Sequence, residues 1–224
     1  MSAAALPWAS LEGINGIGKT HLARQVAARI GPACHSLVEL PDTPQASLPG
    51  RVIAALRADG DLFLRTGAPR TETLLLAALH VHRYEHLVAA PGAQLILEDR
   101  GPLTVALYQA AILLPGGDDD HVLDLANDIL ATIAAWRPPP TLTVLLRDDP
   151  ARCLHRFEQR LGRPAHPSEK TLMSHVNRLY DHYASRHPER LTLIDRRHGG
   201  EHAVIEAITA ACRNLIASHE MRPS

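Results

Sequence analysis

Residues 13–20 of this chain combine glycines, a lysine and a threonine at a spacing that suits phosphate binding. The segment reads G-I-N-G-I-G-K-T and fits the pattern G-x-x-x-x-G-K-[ST] in full. Glycines let such a loop wrap with its amide N–H groups inward, while the lysine and the hydroxyl can serve the β- and γ-phosphates and Mg²⁺. The pattern predicts a nucleoside triphosphate site, and a glycine-rich turn without a ligand is the alternative. The candidate residues are Gly13, Asn15, Gly16, Ile17, Gly18, Lys19 and Thr20.

Acidic residues and an arginine follow the apolar run at residues 95–97. Ligands of α/β sheets bind at the carboxyl ends of strands, so this position favours a second part of the same site. Asp99, or Glu98 in a shifted register, could hold Mg²⁺ through water or accept a proton, and Arg100 could bind the phosphate that is transferred or accepted. An ion pair at the surface is the alternative.

Short apolar runs alternate with segments of helical periodicity, which is typical of a parallel sheet covered on both faces. Predicted strands span residues 8–12, 36–39, 94–98, 141–146 and 191–194. Predicted helices span residues 19–30, 48–58, 71–89, 102–114, 122–136, 150–161, 168–186 and 201–218. We therefore expect one α/β domain over residues 1–224, a three-layer P-loop NTPase fold with a five-stranded parallel sheet and the phosphate loop after its first strand.

Composition limits the partners of this 224-residue chain, which is 46% hydrophobic and has a formal net charge of −1. Such a charge gives no reason to expect a nucleic acid or a membrane surface as partner. Cys34, Cys153 and Cys212 lie far apart and form no C-x-x-C motif, which fits free thiols in a reducing compartment. Since no leader-like segment or long apolar stretch is present, we expect a cytoplasmic protein.

The motifs resemble those of thymidylate kinase and, more distantly, of the deoxynucleoside kinases that share its fold. Residues 12–20 are similar to the family's E-G-x-[DEN]-G-x-G-K-[ST], and Asp99-Arg100 with the A-L-Y-Q of residues 106–109 is similar to its D-R-[YH]…A-Y-Q. The resemblance runs from about residue 8 to residue 216. It implies an ATP- and Mg²⁺-dependent kinase with a small-molecule acceptor, with Thr20 and Asp99 at the Mg²⁺, the latter through water, and Tyr108 at the acceptor.

The acceptor half departs from the family pattern. Thymidylate kinases carry an arginine shortly after a proline at the end of strand two, where this chain reads E-L-P-D-T at residues 39–43. They also carry a Phe and, four residues later, an Arg on the following helix. The best register places Leu76 and His80 there, with Arg83 one turn further on.

Charge in the next segment favours an acceptor that is neutral or cationic. Residues 101–136 contain no Lys or Arg but several aspartates. Repulsion between carboxylates and a phosphate dianion about 4 to 6 Å away would cost several kcal/mol at an effective dielectric constant near 20. A nucleoside or an amino-sugar-like metabolite avoids this cost. The substrate candidates are Glu39, Asp42, His80, Arg83, Arg100, Tyr108, Asp124 and Asp128.

Glu39 is a candidate base. Deoxynucleoside kinases resemble this chain in having a glutamate at the end of strand two, and transfer to a neutral hydroxyl benefits from a carboxylate that takes its proton. Asp99 is the other candidate for this role. A glutamate that ends a strand beside solvent is the alternative for Glu39.

Four arginines recur every three or four residues along the predicted helix 150–161 and just beyond it, so most share one face. In the family, arginines here belong to a lid, about residues 152–170, that folds over the triphosphate. Arg156 and Arg160 are the preferred catalytic pair, and Arg163 is a further ATP contact. A solvated arginine face is the alternative.

Together the patterns predict catalysis by Lys19, Glu39, Asp99, Arg100 and the lid arginines, and we expect Lys19 to lie in a solvent-facing loop. The alternatives are a divergent thymidylate or other nucleoside monophosphate kinase and a nucleotide-switch ATPase without a small-molecule acceptor. A homodimer is one possible assembly.

Overall fold

One parallel sheet organises the chain in the computed structural model, which describes residues 6–39, 44–57 and 60–221. Its five strands lie in the order β2-β3-β1-β4-β5, with every neighbouring pair parallel. The predicted α/β fold with a five-stranded parallel sheet is thereby confirmed. The strands are β1 (Trp8–Glu12), β2 (Cys34–Leu37), β3 (Leu95–Asp99), β4 (Leu142–Arg147) and β5 (Leu191–Asp195).

Helices cover both faces of the sheet. The helices are α1 (Lys19–Ile30), α2 (Leu48–Leu56), α3 (Pro69–Glu85), α4 (Pro102–Leu113), α5 (Asp119–Ala134), α6 (Pro150–Leu161), α7 (Pro167–Arg186) and α8 (Glu201–Glu220). Helices α1 and α8 pack together on one face, and α3, α4, α5 and α7 form the layer on the other. β1 and β3 are buried along their whole length because both layers cover them.

Element boundaries differ most from the sequence prediction at β2, α3 and α5. β2 begins and ends two residues earlier than predicted, because its pairing with β3 sets Cys34 opposite Leu95. α5 begins earlier because Asp118 caps it, its carboxylate accepting the amide N–H of His121. α3 ends at Glu85, four residues before the predicted end.

The register between β1 and β3 positions the site. Leu11 lies opposite Asp99, so the loop that follows β1 starts beside the acidic end of β3. Glu39 lies two residues beyond the end of β2, where Leu37 is opposite Glu98, so it stands level with Arg100. The carboxyl ends of three strands thus bring the sequence candidates to one edge.

No helix in the part of the chain that the structure describes is long and apolar enough to cross a membrane. All three cysteines carry free thiols, and those of Cys153 and Cys212 are buried. Burial raises the pKa of Cys212 to about 12, which makes this thiol a poor nucleophile.

Helix α4 is the central packing element of its layer, and Leu107 on it is fully buried. We expect Leu107→Ala to lower the free energy of unfolding by about 2–5 kcal/mol, because the neighbouring elements cannot fill the cavity. Leu74→Ala on α3, at a side chain that is 65% exposed, should change it by less than about 0.5 kcal/mol. Urea denaturation of the two variants measures this, and equal losses would contradict the packing described here.

Candidate active site

The loop between β1 and α1 has the backbone shape that its glycines allow. Gly13, Gly16 and Gly18 all have positive φ angles. A Cβ atom on Gly16 would lie 1.9 Å from the carbonyl oxygen of Cys153, so the loop packs directly on α6. Ile14 and Ile17 are buried and anchor it. No other residue type fits at Gly16 without moving that helix.

Lys19 is buried at 3% exposure, and the expectation that it faces solvent is wrong. Its ammonium donates hydrogen bonds to the carbonyl oxygens of Gly13, at 2.5 Å, and Ile14, at 3.0 Å. Burial, with the charge of Arg100 adding to it, lowers the pKa of Lys19 to about 7. An anionic ligand at the loop would counter both effects, because it favours the charged ammonium.

Asp99 is 2% exposed, and its carboxylate oxygens lack a hydrogen-bond partner of normal geometry among the described residues. Burial raises the pKa of Asp99, although Arg100 and the nearby hydroxyl of Thr20 oppose the shift. A buried carboxylate without partners is costly, and a hydrated Mg²⁺ is the kind of ligand that offsets this cost. Thr20 and Asp99 therefore fit the expected metal position.

Arg100 has a φ angle of 65°, in the left-handed region that non-glycine residues seldom occupy. Its side chain pairs with Glu39, whose Oε1 lies 2.8 Å from Nε of Arg100. Both side chains are mostly buried, at 15% and 18% exposure. The ion pair lies between the phosphate loop and a cavity on the α3–α4 side.

That cavity has an apolar wall and a polar rim. Its wall consists of Leu62, Phe63, Leu64, Leu76, Val105 and Tyr108. Its rim consists of Asn15, Glu39, His80, Arg100, Thr104 and Gln109. The rings of Phe63 and Tyr108 stack with centroids 5.8 Å apart. Such a cavity, apolar with a few convergent polar groups, suits a small aromatic ligand.

Tyr108 joins this cavity to the phosphate loop. Its hydroxyl oxygen accepts the amide N–H of Asn15 at 3.0 Å. Burial raises the pKa of Tyr108 to about 12, so it stays a neutral phenol. Two sequence candidates from distant segments thus meet here.

Glu98, the neighbour of Asp99, lies in a buried ion cluster with Arg137, Arg83 and His80. Its oxygens lie 3.1 and 3.0 Å from Arg137, 3.1 Å from Arg83 and 3.5 Å from His80. Burial alone would raise the pKa of Glu98, but Arg137 and His80 outweigh it and hold the pKa well below the usual range. Glu98 is therefore already paired, which leaves Asp99 as the acid that faces the phosphate loop.

The remaining substrate candidates are scattered. His80 borders the cavity, whereas Arg83 donates to Glu98 and, at 2.8 Å, to the carbonyl oxygen of Val38. Asp124 and Asp128 are exposed on α5 and do not line the cavity. Asp42 lies outside the described residues.

The three lid arginines have different partners. Arg156 bonds to Asp148 at 2.7 Å, and Arg163 makes two bonds to Glu169, at 2.9 and 3.0 Å. Arg160 instead lies near Arg100, Glu39 and Tyr108. Partial desolvation and the charge of Arg100 lower its pKa. Of the three, Arg160 is the one whose charge interacts with residues that line the cavity.

Sequence reasoning missed three arginines near the site. Arg137 ends the basic-free stretch and stacks over Trp8, with 4.5 Å from its guanidinium carbon to the ring centroid. Arg196, after β5, donates to the carbonyl oxygen of Ile17 in the phosphate loop. Arg57, at the end of α2, has a buried Nε without a hydrogen bond among the described residues and contributes to the field at Arg160. The sequence feature that could have indicated them is that each arginine follows the end of a helix or a strand.

Comparison with known proteins agrees with this geometry. No protein-family model matches the chain. A probable thymidylate kinase of Methanocorpusculum labreanum is 27% identical over 190 residues, which is 83% of this chain and 87% of that protein.

Solved structures show the same fold. Thymidylate kinase from Candida albicans superposes with a TM-score of 0.62 at 16% identity, covering 96% of this chain and 92% of its own. Deoxyadenosine kinase from M. mycoides, solved with bound dCTP, gives a TM-score of 0.62 at 12% identity, covering 92% and 99%.

The comparisons favour the alternative expectation, a divergent thymidylate or other nucleoside monophosphate kinase, over the neutral or cationic acceptor that the sequence alone suggests. They do not name the acceptor. The chain is thus similar in sequence to a probable thymidylate kinase, and its fold is that of a thymidylate kinase and a deoxyadenosine kinase.

Proposed function

We propose that this protein transfers the γ-phosphate of ATP to a nucleoside monophosphate, with thymidylate as the first candidate. The observation that carries the proposal is the group of cations around Arg100. Arg160 and Lys19 both lie within range of its charge, and Arg57 lies near Arg160, whereas the anions that interact with Arg100 are Glu39 and Asp99. This excess of positive charge suits a phosphate beside the cavity.

The repulsion expected from the aspartates of residues 118–128 does not arise at this cavity. Asp124 and Asp128 face solvent on α5, and neither borders the cavity. Exposed charges are screened over about 8–10 Å in physiological salt. This removes the electrostatic objection to an acceptor phosphate, and with it the argument for a cationic amino sugar.

The donor half follows from the phosphate loop. Loop amides and Lys19 would bind the β- and γ-phosphates once the ammonium leaves the carbonyl oxygens it now contacts. When bound, Mg²⁺ neutralises charge on the β- and γ-phosphate oxygens. Thr20 and Asp99, the latter through water, are the residues that would hold the ion. Arg163 can contact ATP only if it leaves Glu169.

The transfer step needs positive charge on the oxygens of the moving phosphoryl group. Arg100 lines the cavity, Arg160 lies within range of its charge, and Arg156 can join them if it leaves Asp148. An acceptor phosphate would compete with Glu39 for Arg100, because one guanidinium cannot bind both in the same geometry.

A nucleoside kinase is the second candidate, and the Glu39–Arg100 ion pair favours it. Arg100 holds the carboxylate of Glu39 at the cavity rim, where a substrate hydroxyl could give it a proton. The nucleotide-switch alternative would instead show ATP hydrolysis that no small acceptor stimulates.

One assay separates these functions. Thymidine, deoxyadenosine, deoxycytidine and deoxyguanosine are each compared with their 5′-monophosphates at equal ATP and Mg²⁺, and products are identified by mass. We expect kcat/KM of about 10⁴ M⁻¹s⁻¹ or more for at least one monophosphate and a much lower value for its nucleoside. Faster turnover of the nucleoside would overturn the first candidate in favour of the second.

Glu39→Gln sharpens this distinction because the amide cannot accept a proton. If the acceptor is a monophosphate, whose phosphate oxygen is already ionised, kcat should change by less than about tenfold. If the acceptor is a nucleoside hydroxyl, kcat should fall by roughly 10²–10⁴. Steady-state kinetics with the better acceptor measures the difference.

Lys19→Ala should reduce turnover to below about one per cent of wild type, because it removes a charge that positions the phosphates. Arg213→Ala on α8 is the control and should keep normal turnover, because it removes a distant exposed charge that donates a hydrogen bond to the carbonyl oxygen of Arg29. Retained turnover in Lys19→Ala, with normal folding by circular dichroism, would exclude this loop as the donor site.

Arg160→Ala and Arg156→Ala should each lower kcat far more than they weaken ATP binding, if these side chains act only as charge develops. We expect the larger effect at Arg160, because Arg156 is already paired with Asp148. Single-turnover rates and ATP dissociation constants test this. Equal losses in the transfer rate and in ATP affinity would show that these arginines bind ATP in the ground state. No loss in either would show that they form a solvated helix face without a role in transfer.

A further inference from the structure

The backbone at Arg100 needs support, because its φ angle of 65° lies in the left-handed region, which is strained for a non-glycine residue. Two successive amides of this turn bond to the end of β1. The N–H of Arg100 donates to the carbonyl oxygen of Leu11 at 3.2 Å, and the N–H of Gly101 donates to Oε1 of Glu12 at 3.0 Å. The first contact is ordinary backbone pairing, whereas the second requires one particular side chain.

Glu12 is completely buried, and it makes no ion pair within 4 Å among the described residues. Its other oxygen accepts the hydroxyl of Thr104, which lies 2.9 Å from the hydroxyl of Tyr180. Burial raises the pKa of Glu12 to about 7. A carboxylate held at such a cost, joined to β1, α4 and α7, has a role that an apolar residue could not fill.

Gly101 brings the backbone directly onto this carboxylate. A Cβ atom at Gly101 would lie 2.7 Å from Oε1 of Glu12 and 2.7 Å from Cβ of Ser10. Gly101 is also the N-cap of α4, which has no side-chain cap of its own. Glu12 thus caps α4 from the neighbouring strand and fixes the turn that precedes it.

We propose that Glu12 is a positioning residue that holds Arg100 in its left-handed turn and so aims the guanidinium at Glu39 and the phosphates. Without the contact to Gly101, Arg100 can relax toward the right-handed region, and its side chain then leaves the junction of loop and cavity. The inference rests on the kinase function proposed above but not on the choice of acceptor.

The kinetic test uses the full-length protein and whichever acceptor it turns over. We expect Glu12→Ala to lower kcat by about 30-fold or more and Glu12→Gln by less, because the amide oxygen can still accept the N–H of Gly101. The KM for ATP should change by less than about threefold. Thr104→Val, which removes the hydrogen bond to the other carboxylate oxygen of Glu12, should also lower kcat, but by less than Glu12→Ala.

A double-mutant cycle distinguishes positioning from general destabilisation. Arg100→Lys keeps a cation but loses the fork geometry of the guanidinium. If Glu12 acts through Arg100, the kcat loss caused by Glu12→Ala should shrink to about twofold or less in the Arg100→Lys background. Independent, multiplicative losses would overturn the proposal.

Glu72→Gln is the matched control. Glu72 is likewise a buried carboxylate that accepts backbone amides, those of Thr66 and Ala68, but it lies at the start of α3. Glu72→Gln should lower the free energy of unfolding without changing kcat by more than about threefold. A kcat loss equal to that of Glu12→Gln would overturn the specific role.

A crystal structure of Glu12→Ala, which removes the acceptor of the Gly101 N–H, gives a readout that is independent of turnover. An Arg100 φ angle shifted away from the left-handed region in this variant supports the proposal, and an unchanged turn contradicts it. Absence of turnover with every acceptor would instead refute the proposed function, while this structural comparison would still decide the role of Glu12.

Discussion

The parallel pairing of β1 with β3 in a single register is the constraint on which the site depends. It places Leu11 opposite Asp99 and brings the phosphate loop and the acid-arginine turn into contact. A slip of one residue would exchange the faces of Glu98 and Asp99. Glu98 would then lose two arginines, and the unpaired carboxylate would face the wrong layer. The buried ion cluster with Arg137 and Arg83 therefore selects the register that leaves Asp99 for the phosphate side.

Sequence patterns predicted the fold well because its elements follow simple periodicities. The strands β1, β3, β4 and β5 begin or end within one residue of their predicted limits, and α1 and α6 match them at both ends. β2 was displaced by two residues, because its four residues are only partly buried or exposed and carry a weak apolar signal. Its true position follows from pairing with β3, which no local pattern encodes.

The acceptor side could not be predicted because its charges come from separate elements. Counting charges along residues 101–136 suggested an acidic pocket, yet Asp119 pairs with Arg178, and Asp120 pairs with Arg186, both from α7. The cations near the cavity come instead from α2, from the turn after β3 and from α6. The charges that determine the electrostatic potential at the cavity are therefore close to it in space but far apart in the sequence.

Burial pulls Lys19 and Glu12 toward the same pKa, about 7, from opposite directions. In the free protein each of these two charges is buried at a cost that its neighbours only partly offset. Asp99 is a third buried group of this kind. Ligands that supply anionic oxygens to Lys19 and a cation to Asp99 would relieve these costs, so binding and folding stability are linked. The fold thus holds unfavourable charges in place before binding. In the proposed transfer, Lys19, Arg156 and Arg163 must still exchange their present partners for phosphate oxygens, whereas Asp99 and Arg100 already lie beside the phosphate loop, where charge would develop.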